Sequence, residues 1–458
     1  MLNLIPQEIF KAYDIRGIVG RTLTPQIAEM IGHAIGSEAR SRQQIAIAIG
    51  RDGRNSGPEL SAALANGIRQ SGIDVVDVGR VATPMLYFAT HHLETHSGVM
   101  VTGSHNPPEY NGLKIMLGGE TLAGDAIQAL RARIERGDLA NGAGGYREFD
   151  IREHYLKRVT GDIKLARPLK LVVDCGNGVA GATAPELYRR LGCQVRELFC
   201  EVDGNFPNHH PDPSHPENLV DLINALKSGG DIGFAFDGDG DRLGVVTPGG
   251  KIIYPDRQLM LFAADVLQRN PGAEIIFDVK STRHLFSWIR QHGGKPLMWK
   301  TGHSFIKKKL QETGAPLAGE MSGHIFFKER WYGFDDALYA GARMLEILSR
   351  ERDPAAVLEQ LPDAVNTPEL HLKLAEGENY TLMEKLRQSA RFDAAREVIT
   401  IDGLRVEYSD GFGLARPSNT TPVIVLRFEA DNEAALARIQ DDFRRAILAV
   451  KPGALLPF

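Results

Sequence analysis

The sequence predicts an α/β protein with three topologically similar α/β domains, each built on a parallel or mixed sheet, and a separate C-terminal α+β domain. The first observation is a pattern of an apolar strand, a loop containing Gly or Asp, an amphipathic helix and a second strand, which occurs three times. The second is a succession of strands with helices at its ends in the last part of the chain. Alternating strands and helices favour helix-covered parallel or mixed sheets, whereas successive strands favour an α+β unit.

The elements of the three repeats can be placed on the sequence. The first strands and the loops after them occupy residues 45–53, 169–178 and 274–280. The helices are predicted at 57–71, through 188–191 and through 285–290, and the second strands at 73–78, 194–198 and 295–299. In the C-terminal part, strands are predicted at 370–374, 398–401, 403–408 and 422–429, with helices at 382–390 and 433–450. The resulting domains are 1–150, 151–252, 253–364 and 365–458.

Bulk composition excludes several classes of protein. The 458 residues are 43% hydrophobic and 24% charged, and the net charge is −5, which gives no reason to expect nucleic acid or an anionic membrane as partner. An anionic substrate must therefore be held by local Arg and Lys. Three cysteines are too few for a disulfide framework, and neither a signal peptide nor a membrane span is visible. We expect a cytoplasmic protein.

The segment Thr102-Gly-Ser-His-Asn is the first candidate for chemistry. Ser104 lies in a Gly/Pro-rich loop after the apolar residues 98–101, with His105 beside it and Lys114 ten residues on. A serine that leaves a strand end in such a loop is well placed to carry a phosphoryl group, whose charge a metal ion and Lys114 would offset. A simple turn remains the alternative at this point.

The segment Asp237-Gly-Asp-Gly-Asp-Arg242 is the second. Asp237, Asp239 and Asp241 alternate after an apolar strand, so their carboxylates can converge on a hard divalent cation. An EF-hand would need Gly at position 6 and Glu at position 12, where this chain has Arg242 and Pro248. The pattern therefore predicts a Mg²⁺-type site rather than a calcium sensor.

A nucleotide alternative rests on Gly176-Asn-Gly-Val-Ala-Gly181, which matches the dinucleotide fingerprint G-x-G-x-x-G. It explains neither Ser104 nor the three aspartates. The chain has no GxxxxGK[ST], which excludes a P-loop kinase.

Two further loops are candidates for binding. Gly319-Glu-Met-Ser-Gly-His324 presents a carboxylate, a hydroxyl and an imidazole at alternate positions, which suits the vicinal hydroxyls of a sugar. Arg416-Pro-Ser-Asn-Thr-Thr421 offers a guanidinium group, hydroxyls and an amide as a phosphate cradle between strands. The proline-interleaved histidines 209, 210 and 215 are interpreted as an ordered loop without a metal.

Together, the four loops resemble, in order and spacing, those of the α-D-phosphohexomutases, over the whole chain. The segments 10–16, 206–211 and 320–322 resemble the bacterial branch that acts on both mannose and glucose phosphates. Phosphoglucosamine mutases typically have Gln where this chain has Met321, which argues against that branch. The resemblance implies that the four domains surround one central cleft.

The resemblance also implies roles for individual residues. Ser104 would be phosphorylated and would complete a Mg²⁺ site with Asp237, Asp239 and Asp241. Lys114 and Arg242 would neutralise developing charge, while His105, Lys114 and His324 are candidates for acid–base work that sequence does not rank. The sugar loop would act through Glu320, Ser322 and His324. Phosphate binding and positioning would involve Arg416, Ser418, Asn419 and Thr420, with Tyr13, Arg16, Lys280 and His303.

The implied reaction is reversible phosphoryl transfer between the 1- and 6-positions of mannose and glucose phosphates. It passes through a phosphoserine and a hexose 1,6-bisphosphate, with glucose 1,6-bisphosphate as activator and phosphosugars as the small-molecule partners. We expect a monomer whose C-terminal domain moves on binding. Phosphoglucosamine mutase activity, or a non-catalytic sugar-phosphate or dinucleotide binder, are the alternatives.

Overall fold

The computed structural model describes residues 5–419 and 421–458, which form four sheets covered by helices. The first domain contains, in chain order, β1 (Ile15–Ile18), α1 (Pro25–Ser41), β2 (Ala46–Arg51), α2 (Gly57–Gln70), β3 (Asp74–Arg80), α3 (Thr83–His92), β4 (Gly98–Val101), β5 (Tyr110–Leu117), β6 (Glu120–Thr121), α4 (Asp125–Arg136) and β7 (Tyr146–Glu148). Its sheet has the order β1-β5-β4-β2-β3-β7, with β6 paired to β5.

The second and third domains repeat this arrangement on smaller sheets. The second contains α5 (Arg152–Asp162), β8 (Lys170–Asp174), α6 (Ala184–Arg190), β9 (Gln194–Leu198), α7 (Val220–Leu226), β10 (Ile232–Phe236), β11 (Leu243–Val246) and β12 (Ile252–Ile253). The third contains α8 (Pro255–Arg269), β13 (Glu274–Asp278), α9 (His284–Gln291), β14 (Lys295–Trp299), α10 (His303–Thr313), β15 (Leu317–Gly319), β16 (Ile325–Phe327), α11 (Ala337–Leu348) and α12 (Pro354–Glu359).

All three sheets share one core topology. Their strand orders contain β5-β4-β2-β3, β11-β10-β8-β9 and β16-β15-β13-β14, which are the same path. In each, three strands run parallel and a fourth returns antiparallel beside the third. The prediction of three topologically similar domains with mixed sheets is confirmed. The domain boundaries themselves stay a prediction.

The C-terminal domain has a different plan. It contains β17 (Val365–Asn366), β18 (Leu370–Lys373), α13 (Glu378–Ser389), β19 (Glu397–Ile399), β20 (Leu404–Glu407), β21 (Gly411–Pro417), β22 (Val423–Ala430) and α14 (Glu433–Val450). Every pairing in its sheet is antiparallel. The α+β prediction is confirmed, but the sequence did not reveal β21. Arg416 therefore lies inside a strand, opposite Val425, rather than in the loop that follows it.

The hydrophobic core explains how the domains hold together. One apolar cluster runs from the first domain through the second and third and takes in Phe412 and Leu414 of the fourth. The fourth domain has its own core between its sheet and α13 and α14. The first three domains are thus joined by continuous apolar packing, whereas the fourth is largely a separate unit.

Close packing of α1 on α2 depends on glycine. A Cβ on Gly67 would fall on the carbonyl oxygen of Glu29, so the two helices can approach only without a side chain there. Gly161 in α5 is the opposite case, because a Cβ on it would meet nothing within 4 Å.

We therefore expect Gly67→Ala to destabilise the first domain by about 1–3 kcal/mol through overpacking, despite the better helix propensity of alanine. The measurement is denaturant unfolding followed by circular dichroism. Gly161→Ala is the matched control and should be neutral or stabilising by up to about 1 kcal/mol. Equal effects of the two substitutions would contradict the packing argument.

Candidate active site

The three α/β domains present their functional loops at the same point of the topology. The loop between the third parallel strand and the antiparallel return strand carries Ser104 between β4 and β5, the aspartates between β10 and β11, and Glu320 and His324 between β15 and β16. The carboxyl ends of parallel strands open at one edge of a sheet, where α/β proteins place their ligands. The three loops contact one another, through Ser104 with Asp237 and through Asp241 with His324.

Ser104 is buried and lies against the acidic loop of the second domain. It is 2% exposed, and its hydroxyl donates to Oδ2 of Asp237 at 3.0 Å. Nδ1 of His105 is 3.3 Å from Oγ of Ser104. Its backbone φ of +48° lies in the left-handed region, which a non-glycine residue adopts only when its surroundings hold it there. The serine oxygen is thereby directed at the carboxylates.

The carboxylates of Asp237, Asp239 and Asp241 are all fully buried, with oxygen atoms within 4.8 Å of one another. Nζ of Lys114 donates to Oδ2 of Asp239 at 2.7 Å and also to Asp241. Backbone N–H groups of Asp241 and Arg242 donate to Oδ1 of Asp237 at 3.0 and 3.1 Å. The loop thus gathers three negative charges around one ammonium group.

The closeness of the three carboxylates shifts the pKa values of Asp237 and Asp241 in opposite directions. Burial, together with the charges of Asp241 and Asp239, raises the pKa of Asp237 well above its usual range. Although burial opposes it, Lys114 and His324 hold the pKa of Asp241 well below the usual range. Three adjacent carboxylates in a site shielded from water cannot all stay ionised without more positive charge.

The residues fit a hard divalent cation. Oδ1 of Asp239 is buried without a hydrogen-bond partner among the described residues, and Oδ1 of Asp241 faces Nε2 of His324 at 3.3 Å. Arg242 lies in the same loop, with its Nε 3.9 Å from Asp237. Carboxylate oxygens in excess of their hydrogen-bond donors are what Mg²⁺ accepts as ligands. The three aspartates and the Ser104 oxygen could hold such an ion.

The loop of the third domain meets the acidic cluster through His324. Nε2 of His324 is 3.3 Å from Asp241, while Nδ1 is 3.2 Å from Glu320 and 3.0 Å from the hydroxyl of Ser322. Burial lowers the pKa of His324, but Asp241 and Glu320 outweigh it and raise the pKa to about 9. Oε1 of Glu320 also accepts from the N–H of Gly302 at 2.5 Å. His324 therefore links the residues predicted to bind sugar to the acidic loop of the second domain.

The fourth domain reaches the cleft with Arg416. Its Nε donates to Asp402 at 2.9 Å, and Asp402 also accepts from the N–H of Thr301 in the third domain at 3.0 Å. Nη2 of Arg416 is buried without a partner among the described residues, so it can still bind an anion. Ser418 and Asn419 follow at the strand end, and Thr420 lies outside the described residues.

The remaining predicted residues line the same space. The ring of Tyr13 lies edge-on to that of His303 at 5.7 Å, and burial raises the pKa of Tyr13. Arg16 is paired with Asp14 at 2.6 Å. Lys280 is paired with Glu369 of the fourth domain at 2.5 Å, so this cation already has a carboxylate partner.

Sequence reasoning missed an acidic residue that closes the first strand of each repeat. Asp52, Asp174 and Asp278 follow or end β2, β8 and β13, and all are buried. Asp52 accepts from Thr102 at 2.7 Å and Asp278 from the N–H of Met321 at 3.2 Å, so two of them hold functional loops. Their common place in the repeat was the signal that could have revealed them.

The glycines of the dinucleotide-like segment serve packing. A Cβ on Gly181 would fall on the carbonyl oxygen of Cys200, and one on Gly178 would lie 3.0 Å from the Cα of Gly238 in the acidic loop. They let two loops of the second domain pack backbone to backbone. His209 in the neighbouring proline-rich loop contacts Asp174 at 3.1 Å.

The chain matches known proteins over nearly its whole length. Four domain families match in succession, described as phosphoglucomutase/phosphomannomutase α/β/α domain I (residues 7–141), domain II (153–250), domain III (254–365) and C-terminal domain (369–446). Within the described residues, no helix is long and apolar enough to cross a membrane.

Individual relatives are similar at high identity. The phosphoglucomutase of Neisseria meningitidis serogroup A is 60% identical over 457 residues, covering 99% of each chain. The phosphomannomutase/phosphoglucomutase of Pseudomonas aeruginosa PAO1 is 58% identical over 456 residues, covering 99% of this chain and 98% of that protein. A crystal structure of a family member from Burkholderia thailandensis superposes with a TM-score of 0.95 at 63% identity, covering 99% of this chain and 100% of the other.

The serine loop, the acidic triplet and the two binding loops thus occur in a chain matched by all four family domains. The chain belongs to the phosphoglucomutase/phosphomannomutase family of phosphohexomutases, enzymes that transfer a phosphoryl group between the 1- and 6-positions of hexose phosphates.

Proposed function

We propose that the protein interconverts the 1- and 6-phosphates of glucose and mannose through a phosphorylated Ser104. The observation that carries the proposal is the hydroxyl of Ser104 at 3.0 Å from Asp237, within a buried cluster that Lys114 joins from the first domain and His324 from the third. The names of relatives at 58–60% identity, which refer to both sugars, support the substrate class.

The first half-reaction breaks the bond between phosphorus and the Ser104 oxygen. The phosphoryl group passes to the free hydroxyl of a hexose monophosphate, and the proton of that hydroxyl is taken up by a neighbouring base. The bisphosphate then turns over, so that its other phosphoryl group returns to Ser104 and the isomeric monophosphate leaves. Glucose 1,6-bisphosphate would restore the phosphate to an enzyme that has lost it.

The residues of the cleft have separate tasks in this scheme. Mg²⁺ bound by the three aspartates would supply charge stabilisation of the transferring phosphoryl group. Lys114 and Arg242 add positive charge beside it. His105 is 3.3 Å from the Ser104 oxygen, which puts its imidazole within reach of the proton in transfer, and burial and Arg242 lower its pKa, which favours the neutral form but weakens it as a base.

Substrate binding falls mainly to the third and fourth domains, with help from two residues of the first. Glu320, Ser322 and His324 would bind sugar hydroxyls, and Arg416, Ser418, Asn419 and Thr420 the distal phosphate, assisted by Tyr13, Arg16, Lys280 and His303. One phosphate site serves both orientations because each end of the bisphosphate presents the same dianion. All four domains of one chain contribute, which supports a monomer. The cytoplasmic location stays a prediction from the sequence.

The assay that tests the proposal supplies glucose 1-phosphate or mannose 1-phosphate with Mg²⁺ and glucose 1,6-bisphosphate, and measures the 6-phosphate formed. We expect both sugars to react.

Removal of divalent ions by EDTA should lower the rate by at least about 100-fold, and added Mg²⁺ should restore it, because the carboxylates then lose and regain their cation. Asp239→Asn should lower the rate to a similar extent, and added Mg²⁺ should not restore it. Asp393→Asn, at an exposed position, should leave the rate unchanged. Full activity in EDTA would refute the metal assignment.

Ser104→Ala should lower turnover by about 1,000-fold or more, since no other described hydroxyl takes its place beside Asp237. Intact-protein mass spectrometry after treatment with glucose 1,6-bisphosphate should show an added phosphoryl group in the unsubstituted protein and none in the variant. Ser287→Ala, on the exposed helix α9, serves as the control and should behave like the unsubstituted protein. Near-normal turnover of Ser104→Ala would sink the covalent mechanism.

The fourth domain should move during the cycle. Ser104, Lys114 and His324 are 2%, 4% and 5% exposed, so a hexose phosphate cannot reach them unless the cleft opens. Because the fourth domain has its own core, it is the part expected to swing away. Small-angle scattering should give a smaller radius of gyration with glucose 1,6-bisphosphate than without it, and no change with unphosphorylated glucose. Identical profiles with and without bisphosphate would contradict this motion.

A further inference from the structure

Arg54, which no motif singled out, is the centre of a hydrogen-bonded clamp on the serine loop. It is 2% exposed and lies in the turn after β2. Its Nη2 donates to the carbonyl oxygens of Ser104 at 2.8 Å and Asn106 at 2.5 Å. Its Nη1 donates to those of Pro107 at 2.6 Å and Tyr110 at 3.0 Å. One guanidinium group therefore binds four carbonyls along the second half of the loop.

Asp52 holds the first half of the same loop. Its Oδ2 accepts from the hydroxyl of Thr102 at 2.7 Å and from the N–H of Gly103 at 3.1 Å. The same oxygen accepts from Nε of Arg54 at 3.2 Å, and Oδ1 accepts from the Arg54 N–H at 2.9 Å. The loop is thus bound on both sides of Ser104 by Asp52 and Arg54, two residues of the turn after β2.

The second domain covers this clamp. The ring of Phe206 lies 5.1 Å from the guanidinium carbon of Arg54, which is a cation–π distance. Gly204 packs so closely that a Cβ on it would lie 2.6 Å from the N of Asn55 and 2.9 Å from the Cα of Arg54. The segment 203–206, which has no part in the proposed chemistry, therefore packs against the turn that carries Arg54.

The chemistry of arginine suits this task. Its planar group presents five N–H donors in fixed directions, whereas a lysine ammonium has three on a flexible stem. A buried charge is tolerated only when it is paired and fully hydrogen-bonded, as Arg54 is by Asp52 and the carbonyls. Ser104 holds a left-handed backbone conformation that its own side chain does not favour, and the clamp binds its carbonyl oxygen in that conformation.

We propose that Arg54, together with Asp52, is a positioning residue that holds the phosphoryl-carrying Ser104 in line with the metal loop and the sugar. Arg54 touches the loop backbone rather than the substrate. The inference rests on the proposed phosphoserine mechanism. Because both half-reactions use the same serine position, the clamp acts on phosphoryl transfer in both directions, whereas sugar-phosphate binding depends on residues outside the serine loop.

The test compares Arg54→Lys with Arg343→Lys. Both arginines are fully buried and ion-paired, but Arg343 contacts Asp265 and Glu329 instead of a catalytic loop. In Arg54→Lys we expect kcat to fall by about 100-fold, as for a displacement of about 1 Å at a reacting group, with KM within about threefold of normal. Rapid-quench mass spectrometry should show a similar fall in the rate of Ser104 phosphorylation by glucose 1,6-bisphosphate. In Arg343→Lys, thermal stability should fall with kcat unchanged.

A second variant keeps the test decisive if Arg54→Lys does not fold. Asp52→Asn keeps the size of the side chain but removes the charge that orients Arg54, and should lower kcat more than about tenfold with KM little changed. A normal phosphorylation rate and kcat in the folded variants, or losses no larger than in Arg343→Lys, would overturn the inference. An unsubstituted protein that never carries phosphate on Ser104 would instead overturn the proposed function.

Discussion

The burial of three carboxylates in one place is the constraint around which the molecule is arranged. Asp237, Asp239 and Asp241 are shielded from water, so their mutual repulsion is strong and must be met by positive charge nearby. Lys114 comes from the first domain, Arg242 from the second and His324 from the third. Three domains therefore each contribute a positive group to this cluster. The same excess of carboxylate oxygen suits a divalent cation.

The repeated topology explains why three loops can meet there. Each α/β domain ends its third parallel strand in a short loop before an antiparallel return strand, and each uses that loop for a different task. Short loops on rigid strands hold side chains more precisely than long ones. Behind them, the aspartates that close the first strands of the first and third repeats, Asp52 and Asp278, brace the neighbouring loop. The repeat thus supplies both the functional groups and their supports.

The fourth domain stands in a different relation to the cleft. Its contacts with the third domain include ion pairs such as Lys280 with Glu369 and Arg283 with Asp431, and its own core lies apart. Partly exposed ion pairs such as Arg283 with Asp431 can be exchanged for contacts to a phosphate at modest cost, whereas continuous apolar packing cannot. The cations expected to bind phosphate are already balanced by carboxylates, which the ligand would displace.

Local patterns in the sequence were enough to indicate the repeats, the mixed sheets, Ser104 and the three aspartates, because alternation along a strand and glycine in a loop act over a few residues. They could not reveal β21, since its pairing with β22 decided that Arg416 is in a strand. Nor could they reveal Arg54, whose carbonyl partners on the serine loop lie fifty or more residues away along the chain. Hydrogen bonds between distant loops exist only once the sheets have brought those loops together. The sequence by itself therefore determined which chemical groups are present. The packing of the four domains decided the distances between these groups, their pKa values and the hydrogen bonds that hold them.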